Sequence, residues 1–462
     1  MLSLRDLELH DNKLTNLPAN YLLDMPHLQQ LRLDRNPLRA LPALPRSLRV
    51  LHLEGCPLEG TRAALAQCPS SVRAVLHCLD ELLLPPGELV LGSEPLVRDE
   101  TPYHYDATLA HWLALRPEAP LEPRLAICDP HHHLWGPERG LEHGQVISHA
   151  LRNAFGERCG VGPYAYDDFA QDAAANNVVS SVFIECGAFY QRRRSPAEPD
   201  PGPMAPVAES RGVAAVDTHG RPMAIVAHAD LRAGAAVVRP VLEAHAAAAG
   251  SRLAGLRHLL AWDASEHIYS ALHRGQAAGA SYEPAFREAF ALLAEFGLVY
   301  DVWLFHTNLA ELQDLALAFP QQPIVLNHVG FPLGVGPYTR ETSWEPWRAA
   351  VSRLAAACPN VHVKLSGLTM PVCGFGWEHG DLPPSSEELA AALQPYLAHC
   401  LAEFGVDRCM FASNFPPDQA SCSYTVLWNA FKRVAQALQL SPADQVRVFC
   451  TNAERMYFQR QS

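Results

Sequence analysis

The sequence predicts a (β/α)8 TIM barrel over residues 123–462, preceded by a repeat array over residues 1–83 and a proline-rich linker over 84–122. Three observations predict it. Eight short apolar runs alternate with longer alanine-rich stretches of helical character, the order that winds a parallel barrel. The runs are apolar throughout, as strands covered on both faces should be. The long insertions follow strands, which enlarges the C-terminal face where barrel active sites sit.

In chain order, the repeats come first. Leu4, Leu7 and Leu9 precede Asn12 and Leu14; Leu28, Leu31 and Leu33 precede Asn36 and Leu38; Leu48, Leu51 and Leu53 precede Cys56 and Leu58. The starts are 24 and then 20 residues apart. The pattern resembles leucine-rich repeats over about residues 1–60, in which each LxL is a short strand facing one core. Residues 61–83 read as a helical cap. The resemblance implies an arch for a protein partner, or an appendage that packs on its neighbour and binds nothing. Residues 84–122 then carry Pro85, Pro86, Gly87, Pro95, Pro102, Pro117 and Pro120, which reads as a linker with local order.

The strand candidates of the barrel are 125–129, 180–186, 223–229, 253–259, 298–304, 323–329, 361–367 and 409–414. Helical stretches lie between them, among them 235–249, 284–296, 309–319 and 345–357. The insertions 136–168, 187–222, 263–283, 330–344 and 368–387 follow strands one, two, four, six and seven.

Composition narrows the function classes. The chain has 462 residues, is 48% hydrophobic and 18% charged, and carries a formal charge of −13. That balance argues against a general nucleic-acid binder, which neutralises phosphates with Lys and Arg. It gives no support for docking on an anionic membrane. No run of roughly eighteen apolar residues suggests a span. The twelve cysteines form no CxxC pair and read as reduced core thiols, which points to the cytoplasm. There is no GxSxG elbow, no phosphate loop and no dinucleotide fingerprint.

The chemistry concentrates in Asp129-Pro130-His131-His132-His133-Leu134-Trp135, at the end of the first barrel strand. Residues two apart in a strand face the same way, so His131 and His133 can chelate one divalent cation in the mouth while His132 points away. Glu185, His228, Arg257, His258 and Lys364 also lie on strands or at strand ends. A basic group beside such a cation suits a carboxylate-bearing small-molecule substrate, unless a barrel acid already pairs it.

These residues, with Asn327-His328-Val329-Gly330-Phe331-Pro332 and Ser413-Asn414-Phe415-Pro416, resemble the amidohydrolase superfamily over about residues 123–460. The branch is the one that contains lactone hydrolases and metal-dependent decarboxylases. The resemblance implies a hydrolase with a divalent metal, zinc or manganese. His131 and His133 match the paired ligands, and His306 stands near another ligand position. His328 matches a histidine that binds metal or polarises the electrophile. Catalytic roles are expected for His328, Asn414, His258 and Glu185, and substrate contacts for Arg257, Lys364 and His228.

Asn414 departs from the pattern, since many relatives have Asp there. An amide oxygen is a weaker ligand and no general base. Three readings stay open: another base acts, with His328, His258 and Asp418 as candidates; the site works without a tightly bound metal; or activity is lost. A decarboxylase, and an interaction protein with an inactive barrel, are the competing functions.

Overall fold

The computed structural model describes residues 6–8, 30–32, 50–52, 73–75, 107–135, 164–190, 200–265, 268 and 278–459. The chain divides into two compact units, Met1–Pro102 and Tyr103–Ser462.

In the first unit, β1 (Asp6–Glu8), β2 (Gln30–Arg32), β3 (Val50–His52) and β4 (Arg73–Val75) form one parallel sheet in that order. Leu7 pairs with Leu31, Leu31 with Leu51 and Leu51 with Ala74. The spacing of 24 and 20 residues in the sequence is thus the register of the sheet. Leu31 is fully buried. The expected helical cap over 61–83 is corrected at residues 73–75, which form the fourth strand. Residues 73–75 pair in parallel with β3, Leu51 opposite Ala74, and so use backbone groups that β3 offers. The remainder of that cap lies outside the described residues.

The second unit begins with α1 (Ala107–Leu113), inside the stretch expected to be linker. Trp112 Nε1 donates to Gly380 O at 3.0 Å, and Leu121 N donates to Asn429 Oδ1 at 2.7 Å. Residues 112–121 are therefore fastened to later parts of the same unit.

The barrel strands are β5 (Ile127–His132), β6 (Val178–Ile184), β7 (Met223–His228), β8 (Leu253–Arg257), β9 (Val299–Val302), β10 (Ile324–Leu326), β11 (Val361–Leu365) and β12 (Cys409–Phe411). All neighbours pair in parallel, in sequence order. The ring closes past the end of β12, where Asn414 N donates to His131 O and His133 N to Phe415 O, both at 2.8 Å. Each expected strand is present, and several are shorter than their apolar runs. Strand β10 stops at Leu326 because His328, Val329, Gly330 and Phe331 all have positive φ.

Helices cover the outside, among them α2 (Tyr166–Ala173), α3 (Val207–Ala214), α4 (Ala235–Ala249), α5 (Pro284–Glu295), α6 (Leu309–Ala318), α7 (Arg340–Ala357), α8 (Ser386–Phe404) and α9 (Tyr424–Ala437). Thr339, Ser385 and Ser423 cap α7, α8 and α9, each side chain accepting a backbone N–H of the first turn. Then come α10 (Pro442–Val446) and α11 (Asn452–Tyr457).

Inward residues alternate with outward ones along the strands. Cys128, Val182, Ile184, Val226, Val299, Val325 and Met410 form an interior cluster with Tyr457 of α11. Lys364 and Asp301 make a fully buried ion pair, Nζ to Oδ1 2.5 Å. Tyr457 OH and Asn327 Nδ2 also donate to Asp301, at 2.6 and 2.7 Å. The histidines stand beyond this polar layer.

Candidate active site

The end of β5 is anchored by Asp129, which is fully buried. Its Oδ1 accepts from His131 N at 3.3 Å and Ser413 N at 3.0 Å, and its Oδ2 accepts from Tyr424 OH at 3.0 Å. Burial pushes its pKa up to about 6 against those donors. The same carboxylate thus ties β5 to the segment after β12 and fixes the backbone that carries the histidines.

His131 and His133 project together, with ring centroids 5.0 Å apart, and His328 lies 4.5 Å from His131. His132 turns the other way, stacked on Phe169 of α2 at 4.1 Å. His133 Nδ1 donates to Ile184 O at 2.8 Å, which leaves a lone pair on Nε2. His131 Nε2 is buried with no partner among the described residues, and its Nδ1 is 3.5 Å from Lys364 Nζ. His328 Nδ1 pairs with Ser366 Oγ at 2.9 Å. Burial, then the field of Lys364, holds His131 and His328 well below the usual histidine range. Burial and Arg257 push His133 down to about 3. All three rings are neutral at physiological pH.

His328 sits in a strained turn. Its φ is 53°, followed by Val329 at 51°, Gly330 at 74° and Phe331 at 42°. Left-handed backbone is unfavourable by roughly 1–2 kcal/mol per non-glycine residue. The turn points the imidazole back over the strand ends. Gly367, φ 70°, makes room for it: a Cβ there would lie 2.4 Å from His328 Cγ. Gly367→Ala is therefore expected to displace His328 and to destabilise the fold by about 2–4 kcal/mol, combining overpacking with a strained φ. Urea unfolding checks this, and an unchanged midpoint would mean that the ring moves aside freely.

A second group lines β6 to β8. Arg257 Nε donates to Glu185 Oε1 at 2.9 Å, and the guanidinium also reaches Glu185 O. Tyr190 OH donates to Glu185 Oε2 at 2.7 Å, and His228 Nδ1 to Arg257 O at 2.9 Å. Arg257 is thus paired with a barrel acid, and Glu185 serves as its partner. His258 stands apart from the His131 cluster. Its ring meets His228 at 5.9 Å and the edge of Phe286 of α5 at 5.2 Å, and burial lowers it to about 4. His306 is likewise elsewhere: its Nδ1 accepts from Leu333 N at 3.3 Å and its ring meets Tyr338 at 5.5 Å. Asn414, φ 55°, donates through Nδ2 to Asp418 Oδ2 and to Met370 Sδ.

The structure therefore joins His131, His133, His328 and Lys364, sets Glu185, Arg257 and His228 together, and leaves His258 and His306 outside the first group. Among the described residues, no three His, Cys, Asp or Glu side chains are arranged to hold a metal. The donor set present is the His131–His133 pair, with one orphaned nitrogen and one directed lone pair.

A family model described as Amidohydrolase matches residues 128–459. The chain belongs to the amidohydrolase family. A relative in this family, an uncharacterised protein of Sinorhizobium fredii, is 34% identical over 336 residues, 72% of this chain and 98% of its own. An L-fucono-1,5-lactonase of Burkholderia multivorans is 30% identical over 213 residues, 45% of this chain and 64% of that enzyme. A solved amidohydrolase from Burkholderia multivorans, with bound zinc, superposes with a TM-score of 0.53 at 23% identity, covering 72% of this chain and 99% of its own. That likeness shows the fold.

Sequence reasoning gave no role to Asp129, Asp301, Tyr190 or Tyr457. For Asp301 a signal existed, a lone acid inside an apolar parallel strand. Tyr457 offered none.

Proposed function

We propose that the barrel is a hydrolase that opens a lactone or other cyclic ester of a carboxylate-bearing small molecule. The carrying observation is the cluster of three neutral imidazoles, His131, His133 and His328, beside the Lys364 cation at the C-terminal end of the strands. The L-fucono-1,5-lactonase relative supports the lactone class. For residues 1–83 we infer leucine-rich repeats, supported by the register of β1 to β3, and propose a protein partner as what such an arch would bind.

His131 and His133 fit a divalent cation, because the orphaned His131 Nε2 is the kind of buried nitrogen a cation satisfies. Such a cation, zinc or manganese, would polarise a carbonyl and acidify a bound water. The chain's own residues do the remaining work. His328, neutral and held by Ser366, takes a proton from the attacking water and returns it to the ring oxygen that leaves. Lys364 and Arg257 stay paired with Asp301 and Glu185, and Lys364 helps to keep the His131 and His328 rings neutral. Asn414 presents an amide and moves no proton.

Two measurements test this. Protein purified without added metal or affinity tag should hold about one divalent ion per chain, lost in His131→Ala. Wild type should hydrolyse members of a lactone panel that includes L-fucono-1,5-lactone, read by acid release. His328→Asn should lower kcat roughly 10²–10⁴-fold, the span of general acid–base contributions. Carbon dioxide release from an aromatic acid, without lactone hydrolysis, would replace this reading with the decarboxylase.

A further inference from the structure

Asp418 is fully buried, four residues beyond Asn414, in the short turn Pro417–Ala420 that follows β12. Both of its oxygens are taken from inside. Thr369 Oγ1 donates to Oδ1, and Asn414 Nδ2 donates to Oδ2. An ionised carboxylate only accepts, so the amide must face it with its nitrogen. The other amide hydrogen is directed at Met370 Sδ, 3.1 Å away. Asn414 Oδ1 is then the end that no donor reaches among the described residues. The backbone of Asn414 N is fixed as well, by its bond to His131 O.

We propose that Asp418 is a positioning residue for the mouth: it holds the Asn414 amide by its nitrogen, so that Oδ1 is presented as an acceptor for a donor seated at the end of β12, a water or a substrate hydroxyl. The nature of that donor rests on the hydrolase reading; the orientation of the amide does not. The chain therefore keeps a carboxylate at this corner, moved one step back, where it acts through the amide rather than on the reactants. Burial pushes Asp418 up to about 7. The titratable groups around it are the Cys373 and Cys422 thiols, both driven well up by burial. Asp418 is accordingly the group there that changes charge near neutrality. Protonated, it can donate to Oδ1, and the amide is then free to turn its nitrogen outward.

Selective 15N labelling of asparagine tests the orientation without any substrate. The Asn414 side-chain signals, assigned by their loss in Asn414→Asp, should lie downfield of the ordinary asparagine range at pH 8. They should shift in Asp418→Asn, and to a smaller degree in Thr369→Val, which keeps the carboxylate should the first variant fold poorly. Ordinary positions unmoved by either variant overturn the proposal. With a lactone that wild type hydrolyses, Asp418→Asn should lower kcat at least tenfold with less change in KM. The exchanged pair Asn414→Asp/Asp418→Asn restores an acceptor at 414 and should recover most of that loss. Unchanged kcat in Asp418→Asn, or no recovery in the exchanged pair, overturns the role in turnover. Absence of hydrolysis by wild type removes the hydrolase reading while the spectra still decide the orientation.

Discussion

Asp301→Leu is expected to destabilise the barrel by about 3–5 kcal/mol, the usual consequence of stripping one partner from a buried ion pair. Three donors meet at this carboxylate: Lys364 Nζ, Asn327 Nδ2 and Tyr457 OH. Lys364 and Asp301 are both fully buried, so none of these donors has water to turn to. Lys364→Met should cost less, because Asp301 keeps two donors. The double variant Asp301→Leu/Lys364→Met should be more stable than Asp301→Leu alone, since it leaves no unpaired charge. Urea unfolding at pH 7.5 reads all three. A loss below about 1 kcal/mol in Asp301→Leu would show that the interior is wet or that Lys364 is already neutral. Lys364→Met carries a second expectation. It removes a cation that holds His131 and His328 down, so both should titrate at higher pH, an upward shift visible in histidine ring NMR signals.

The barrel was legible because its signals are local and repeated. Eight apolar runs alternating with helical stretches need a covered parallel sheet whatever their partners are. The HxH pair was legible for the same reason: period two sends His131 and His133 one way and His132 the other. What was not legible depends on position to within a residue or on contacts from far along the chain. At a strand end, a shift of one residue turns a side chain from the mouth to the helix layer, and His258 meets Phe286 of that layer. His306 follows the end of β9 at Val302 and enters a short helical turn, so strand periodicity no longer governs it. Arg257 looked available for a substrate carboxylate, yet its partner Glu185 is 72 residues away. Tyr457 reaches Asp301 across 156 residues. No window of sequence contains such pairs.

The second large effect is acid lability. Burial pushes His132 and His133 down to about 3, and His245, His258, His306 and His362 to about 4. His131 and His328 move the same way. For a group whose folded pKa is depressed, the unfolded chain binds the proton more readily. The stabilising contribution is therefore complete above the unfolded value of about 6.5 and is lost as pH falls toward the folded value. Four carboxylates oppose this, among them Asp168, which burial also raises. Asp129 and Asp172 are raised to about 6 and Asp418 to about 7, so the folded state holds their protons more readily and gains as pH falls through those values. Eight histidines outnumber four carboxylates. At roughly 1.4 kcal/mol per proton per pH unit, a net excess of only two protons removes about 4 kcal/mol between pH 6.5 and 5. Urea midpoints measured on chelator-treated protein should hold steady between pH 7 and 8 and drop steeply below 6.5. His362→Gln, remote from the His131 cluster, should shallow that drop by about one proton. A midpoint that stayed level or rose toward pH 5 would mean that the buried imidazoles reach water or acquire acidic partners before the chain unfolds.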